Sequence, residues 1–160
     1  MKVMKYIIVG LLCFITLGCG GSHSGDYNVD EVKAAIEVNY AKWKLSALSD
    51  YSYTYRRSPG DCPTADELPT MDITVEDNEV VSVFYSGTSE ILDFDNAPTI
   101  DTLFGVMLGS LNTNPIKFRK SKNENLLPSF DDTFGYPSMF FIDMSSKDCD
   151  AIFIRVTDFY

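Results

Sequence analysis

The sequence predicts an α+β fold: an antiparallel sheet of about five or six strands with two helices packed on one face, in the order α-β-β-β-α-β-β-β. Three observations predict it. Two segments, 28–48 and 99–111, place apolar residues at helical spacing. Other apolar segments alternate with a period of two and follow one another without an intervening helix, which favours antiparallel pairing. Between two of these runs lies Asp77-Asn78, a pair that tolerates the positive φ of a tight hairpin turn.

The elements follow in order. In the first helix Val32, Ala35, Ile36, Tyr40, Trp43 and Ala47 fall on one face, and Lys33, Glu37, Lys42 and Lys44 fall largely elsewhere. Asn28 is its expected N-cap, with Glu31 three residues on as in a capping box. It should stop near Ser49-Asp50, where the period changes to two. Strand one covers 51–57, and the loop after it is rich in proline and turn residues. Strands 71–76 and 79–86 flank Asp77-Asn78 as a hairpin. Thr99 is the expected N-cap of the second helix, and Asp101 suits its positive start. Ile100, Leu103, Phe104, Met107, Leu108 and Leu111 form its apolar face, while Gly105 and Gly109 weaken its intrinsic propensity. Three further strands are expected: one around 115–121, then a hairpin of 135–144 and 151–159.

Strand one carries Tyr51, Tyr53 and Tyr55 on one face and Ser52, Thr54 and Arg56 on the other. Turning the second set inward would bury an arginine without an obvious partner, which is costly. The tyrosines are therefore expected to face the helices, with their hydroxyls reaching the sheet margin or water. The competing reading makes them an exposed aromatic platform for glycans or peptides.

The N-terminus speaks to location. Lys2 and Lys5, an apolar run from Tyr6 to Leu17, and then Gly18-Cys19 give the charged, apolar and small-residue order of an export signal. The run is about 12 residues, short of the roughly 20 needed to span a bilayer. "TLGC" resembles a bacterial lipobox, although that motif usually has leucine where Thr16 stands. The resemblance implies that residues 1–18 are removed and that Cys19 is acylated, anchoring the chain to a membrane of the cell envelope. With Gly20 rather than aspartate next, a Gram-negative host would place it on the periplasmic face of the outer membrane. Residues 20–28, rich in glycine and serine, form a tether with a typical reach of about 15–18 Å. Residues 29–160 form one α+β domain.

Cleavage takes Lys2 and Lys5 from the 13 basic residues and leaves 11 against 23 acidic ones, a net charge of −12. That charge argues against nucleic acid and against electrostatic docking on anionic lipid. Of the four cysteines, Cys13 leaves with the signal and Cys19 takes lipid. Cys62 and Cys149 remain, an even pair suited to a disulfide in an oxidising space. Free thiols are the alternative; a metal pair is poorly served without a nearby histidine.

Trp43, Tyr51-Ser52-Tyr53, Arg57, Cys62-Pro63, the hairpin Val75–Val80, "TIDTLF" at 99–104 and "GYPSMFFID" at 135–143 occur in that order. This ordered set, over about 35–157, resembles a family of bacterial lipoprotein domains of unknown function. That family often carries a second cysteine close to Cys62, and glycine where this chain has Asn78. The resemblance implies a single α+β domain, supplies no activity, and leaves Cys149 as the partner of Cys62.

No catalytic constellation emerges. The sole histidine is His23, in the tether, which removes Ser-His-Asp and Cys-His chemistry and histidine zinc sites from the domain. There is no P-loop and no G-x-G-x-x-G, and no cofactor or metal is expected. Asp93, Asp95 and Asn96, and separately Asp131-Asp132, cluster in loops, but their spacing fails the EF-hand pattern and they read as solvated acids. Candidate binding residues are Tyr136 of the "GYP" turn, Arg57 at the end of strand one, and Lys120 in the basic cluster "FRKSK". The expected function is a membrane-anchored, non-enzymatic module that binds a protein or an envelope polymer. A hydrolase working through loop carboxylates is the alternative.

Overall fold

A computed structural model describes residues 26–66, 68–92 and 97–160. The export signal, Cys19 and the loop acids Asp93 and Asp95 lie outside these residues. The order is α1 (Val29–Ser46), β1 (Tyr51–Pro59), β2 (Met71–Glu76), β3 (Glu79–Tyr85), α2 (Ile100–Leu111), β4 (Lys117–Arg119), β5 (Ser129–Phe130), β6 (Pro137–Asp143) and β7 (Ile152–Thr157). The strands form one antiparallel sheet ordered β3-β2-β1-β7-β6-β4, and β5 pairs with β6 beyond β4. The α+β class stands, with seven strands rather than five or six. The extra strand, β5, is two residues long, too short to show a period in sequence.

Both expected N-caps are in place. The Asn28 Oδ1 accepts from the Glu31 amide at 3.2 Å, and the Thr99 Oγ1 accepts from the Thr102 amide at 3.1 Å. Each satisfies one of the donors that a helix start leaves free. α1 stops at Ser46, slightly earlier than its apolar pattern suggested, because Ala47 turns left-handed at φ 52°. α2 runs through Gly105 and Gly109, which face open space. Asp77 and Asn78 take φ of 49° and 66°, the mirror-image turn that suits a two-residue hairpin. In β3 Val81 is an extra residue between paired Val80 and Ser82, a bulge that shifts the register.

The tyrosines face inward. Tyr51, Tyr53 and Tyr55 are 5%, 2% and 4% exposed, so strand one presents no aromatic platform. Two of their hydroxyls, those of Tyr51 and Tyr53, serve the entry of α2 instead of reaching the sheet margin or water. The Ile100 amide donates to the Tyr51 hydroxyl at 3.1 Å, and the Tyr53 hydroxyl donates to the Pro98 carbonyl. Burial pushes the Tyr53 phenol well above its ordinary pKa, and raises Tyr55 to about 12 against the lowering effect of the Arg57 charge. Trp43 of α1 meets Tyr51 edge-on at 5.2 Å, and Ile73, Val75, Val83, Phe118, Phe140, Ile142, Ile154 and Val156 complete the sheet's share of this core.

Asp101 ties the two helices together. It accepts from Tyr40 Oη at 3.0 Å, Trp43 Nε1 at 3.1 Å and Lys44 Nζ at 2.9 Å. Burial pushes its pKa up, but hydrogen bonds from Lys44, Trp43 and Tyr40 and the Lys44 charge outweigh this and hold it below the usual value. A lowered folded pKa stabilises the fold above the unfolded value of about 3.9, and that stability is lost as pH falls through the folded pKa. Asp101→Asn should therefore cost about 1–3 kcal/mol at neutral pH. The Trp43 and Tyr40 bonds should carry most of it, since Lys44 is exposed and its pair is screened. Urea unfolding of both proteins from pH 7 to pH 3 should show the gap closing below about pH 4; a gap independent of pH would remove the ionised carboxylate from the account.

The far face of the sheet is partly covered. Phe141 and Asp143 of β6 point away from the main core yet are buried. Gly60 lies so close that an added Cβ would meet the Phe141 ring at 2.3 Å. The loop leading to Cys62 and the β6–β7 loop carrying Cys149 meet here, and the two cysteines form a disulfide. Among the described residues no helix is long and apolar enough to cross a membrane.

Candidate functional site

A cleft of about 600 Å³ lies between the start of α1 and the segment that follows β4. That volume is within the range of ligand sites. On one wall are Asp26, Tyr27, Asn28 and Glu31; on the other are Arg119, Lys120, Asn125, Leu126 and Leu127. Buried Val32 and Phe118 line it as well. Backbone bonds set both walls. The Asp26 amide donates to the Ile116 carbonyl at 2.9 Å, docking the chain before α1 beside β4, and the Lys120 amide donates to the Leu126 carbonyl at 2.7 Å, closing the opposite loop.

Tyr27 packs edge-on against Phe118, with ring centres 6.2 Å apart. Its hydroxyl is buried without a hydrogen-bond partner, and burial raises its pKa. Arg119 donates through one terminal nitrogen to the Lys122 carbonyl and lies over the Phe141 ring at 5.7 Å, while its Nε is buried without a partner. Lys120 pairs with Glu124 at 3.0 Å. The cleft thus joins apolar surface to one donor that the domain leaves unsatisfied, the Tyr27 hydroxyl, while the Arg119 side chain lies on the Phe141 face of the sheet. Unsatisfied buried donors are uncommon and call for an explanation.

The three candidate binding residues are not gathered into one site. Lys120 lines this cleft. Arg57 lines a smaller cavity of about 230 Å³ with Tyr55, Pro98 and Leu103. Tyr136 is half-buried and stacks on Phe159 at 4.4 Å; burial, with Asp131 and Asp158 nearby, raises its pKa. The turn before it fits the sequence reading: Gly135 has φ 81°, and a Cβ there would lie 2.6 Å from the Asn39 carbonyl oxygen. Asp131 is occupied in the same turn, its Oδ1 accepting from the Thr133 and Phe134 amides at 2.9 and 2.6 Å.

Tyr27 is the cleft residue that sequence reasoning missed, having been assigned to the tether. A signal for it exists. Tyr27 precedes the N-cap and Val32 is the fourth helical residue, the positions of a hydrophobic staple.

No curated protein and no solved structure matches the chain. The family described as "Family of unknown function (DUF6174)" matches residues 35–160, most of the chain, and the chain belongs to that family.

Proposed function

We propose that this chain is an envelope lipoprotein, exported through residues 1–18 and anchored by acylated Cys19, and that it is a non-enzymatic binding module for a protein partner. The observation that carries the binding reading is the cleft, where the Tyr27 hydroxyl is buried without a partner beside Val32 and Phe118, with Lys120 on the facing wall. A partner segment bearing carbonyl or carboxylate acceptors next to apolar groups suits that surface. In a Gram-negative host the site is the periplasmic face of the outer membrane. The cleft is built partly by residues 26–28, the end of the expected tether, so anchorage at Cys19 would hold it near the lipid surface.

The outer face of α1 favours a protein over a polymer. Glu31 of the cleft is continued along one helical stripe by Ala34, Val38, Ala41 and Leu45, all exposed, with Val38 at 68% and Leu45 at 85%. The spacing of four, three and four residues is the seam that a partner helix packs against.

A photo-crosslinking residue at Asn125, on the cleft wall, tests the reading in living cells. The expected result is a discrete protein adduct that falls about tenfold when Tyr27→Phe and Lys120→Glu are combined, the loss expected when about 1.4 kcal/mol of binding is removed. A polydisperse polymer adduct, an adduct indifferent to those substitutions, or none at all would count against it.

A further inference from the structure

On the far face of the sheet three acids from separate parts of the chain meet. Asp61 lies after β1, Asp143 ends β6, and Asp150 precedes β7. One carboxylate oxygen from each lies within 4.8 Å of the others. We propose that Asp61, Asp143 and Asp150 form a calcium site, braced by the Cys62–Cys149 disulfide.

Proximity of acids alone would not carry this; the state of Asp143 does. Its side chain is 6% exposed. Its Oδ2 pairs with Lys117 Nζ at 2.8 Å, but its Oδ1 is buried with no hydrogen-bond partner. A buried, ionised carboxylate oxygen needs compensation. Lys117 supplies one positive charge against three carboxylates, which leaves a deficit of two, the charge of the proposed ion.

The neighbouring bonds leave room for it. Asp61 Oδ1 accepts from the Ala151 amide at 3.0 Å, and Asp150 accepts from the Ser145 amide at 3.3 Å and from the Ser145 hydroxyl. A carboxylate oxygen holding one hydrogen bond retains a lone pair for a cation. Asp61 precedes Cys62 and Asp150 follows Cys149, so the disulfide fixes the two loops that present them. The Gly60 amide, donating to the Ala151 carbonyl at 3.0 Å, fixes them again.

The spacing admits calcium, and the irregular origin of the donors favours it. Calcium binds oxygen at about 2.3–2.6 Å, so two of its ligands lie at most about 5 Å apart. Magnesium demands near-ideal octahedral geometry and gives up its waters reluctantly, so a cluster of carboxylates from three separate segments suits it less. Second carboxylate oxygens and water would complete the six to eight ligands typical of calcium.

The test uses the purified full-length protein in detergent, freed of metal with a chelator. Calorimetric titration should find one calcium ion per chain in the affinity range of extracellular modules, about 0.1–1 mM. About 5 mM calcium should raise the melting temperature by roughly 5 °C, and the same magnesium by much less. Asp61→Asn and Asp150→Asn keep the local hydrogen-bond acceptors and should each weaken calcium binding at least about tenfold. Glu79→Gln on β3 should leave it unchanged. No calcium heat and no thermal shift in the unaltered protein would overturn the proposal, as would calcium binding that both aspartate substitutions leave intact.

Discussion

Replacing Cys62 and Cys149 together with serine is expected to lower the unfolding free energy by about 4–5 kcal/mol. The bonded cysteines are 87 residues apart, and on the chain-entropy figure the closed loop removes that much freedom from the unfolded chain. The bridge encloses β2, β3, α2 and all of β4 to β6. A domain of this size commonly holds about 5–15 kcal/mol in total, so the loss would be a large share of its stability. Urea unfolding with chelator present separates this effect from metal binding. The double substitution should lower the midpoint and raise the slope, because the unfolded chain expands. A loss below about 1 kcal/mol would mean that the bridge constrains little that the denatured ensemble had free.

Phe104→Ala is expected to cost about 3–5 kcal/mol. The side chain is fully buried in α2, 4.6 Å from the Tyr40 ring of α1 and stacked at 6.2 Å on Phe130 of β5. It joins both helices and the shortest strand, so truncation leaves a cavity that three elements would have to move to close. Phe104→Leu should cost less, about 1–1.5 kcal/mol, and Leu45→Ala on the exposed face of α1 should stay within about 0.5 kcal/mol. Thermal or urea unfolding of the three checks the order; equal losses at positions 45 and 104 would contradict this core assignment.

Much of the fold could be read from local rules. Asn28 and Thr99 cap their helices because short polar side chains before apolar periodicity satisfy free amides. Asp77-Asn78 turns the hairpin, and the tyrosine face of β1 followed from the cost of burying Arg56. Other features need tertiary information. β5 is two residues long and exists only because β6 offers it a partner. Val81 bulges where alternation alone suggests an unbroken ladder.

The candidate sites were less legible. Lys120 belongs to the cleft, but Tyr136 and Arg57 stand elsewhere, because single attractive residues carry no information about convergence. Tyr27 carried a staple signal at the helix start. Asp61, Asp143 and Asp150 come from three positions whose spacing in sequence says nothing until the disulfide and the β6–β7 loop bring them together. Asp101 suited the start of α2 by its charge, while its grip on Trp43 and Tyr40 depends on how α1 crosses that end.

Export and lipid anchorage would set the compartment, the redox state and the mature charge of this chain, and the mass of the mature amino terminus in the native host reports on both. The expected result is a chain that begins at Cys19, carries fatty acyl mass on that residue and partitions with membranes. A chain that still begins at Met1 and carries no acyl group on Cys19 would contradict both.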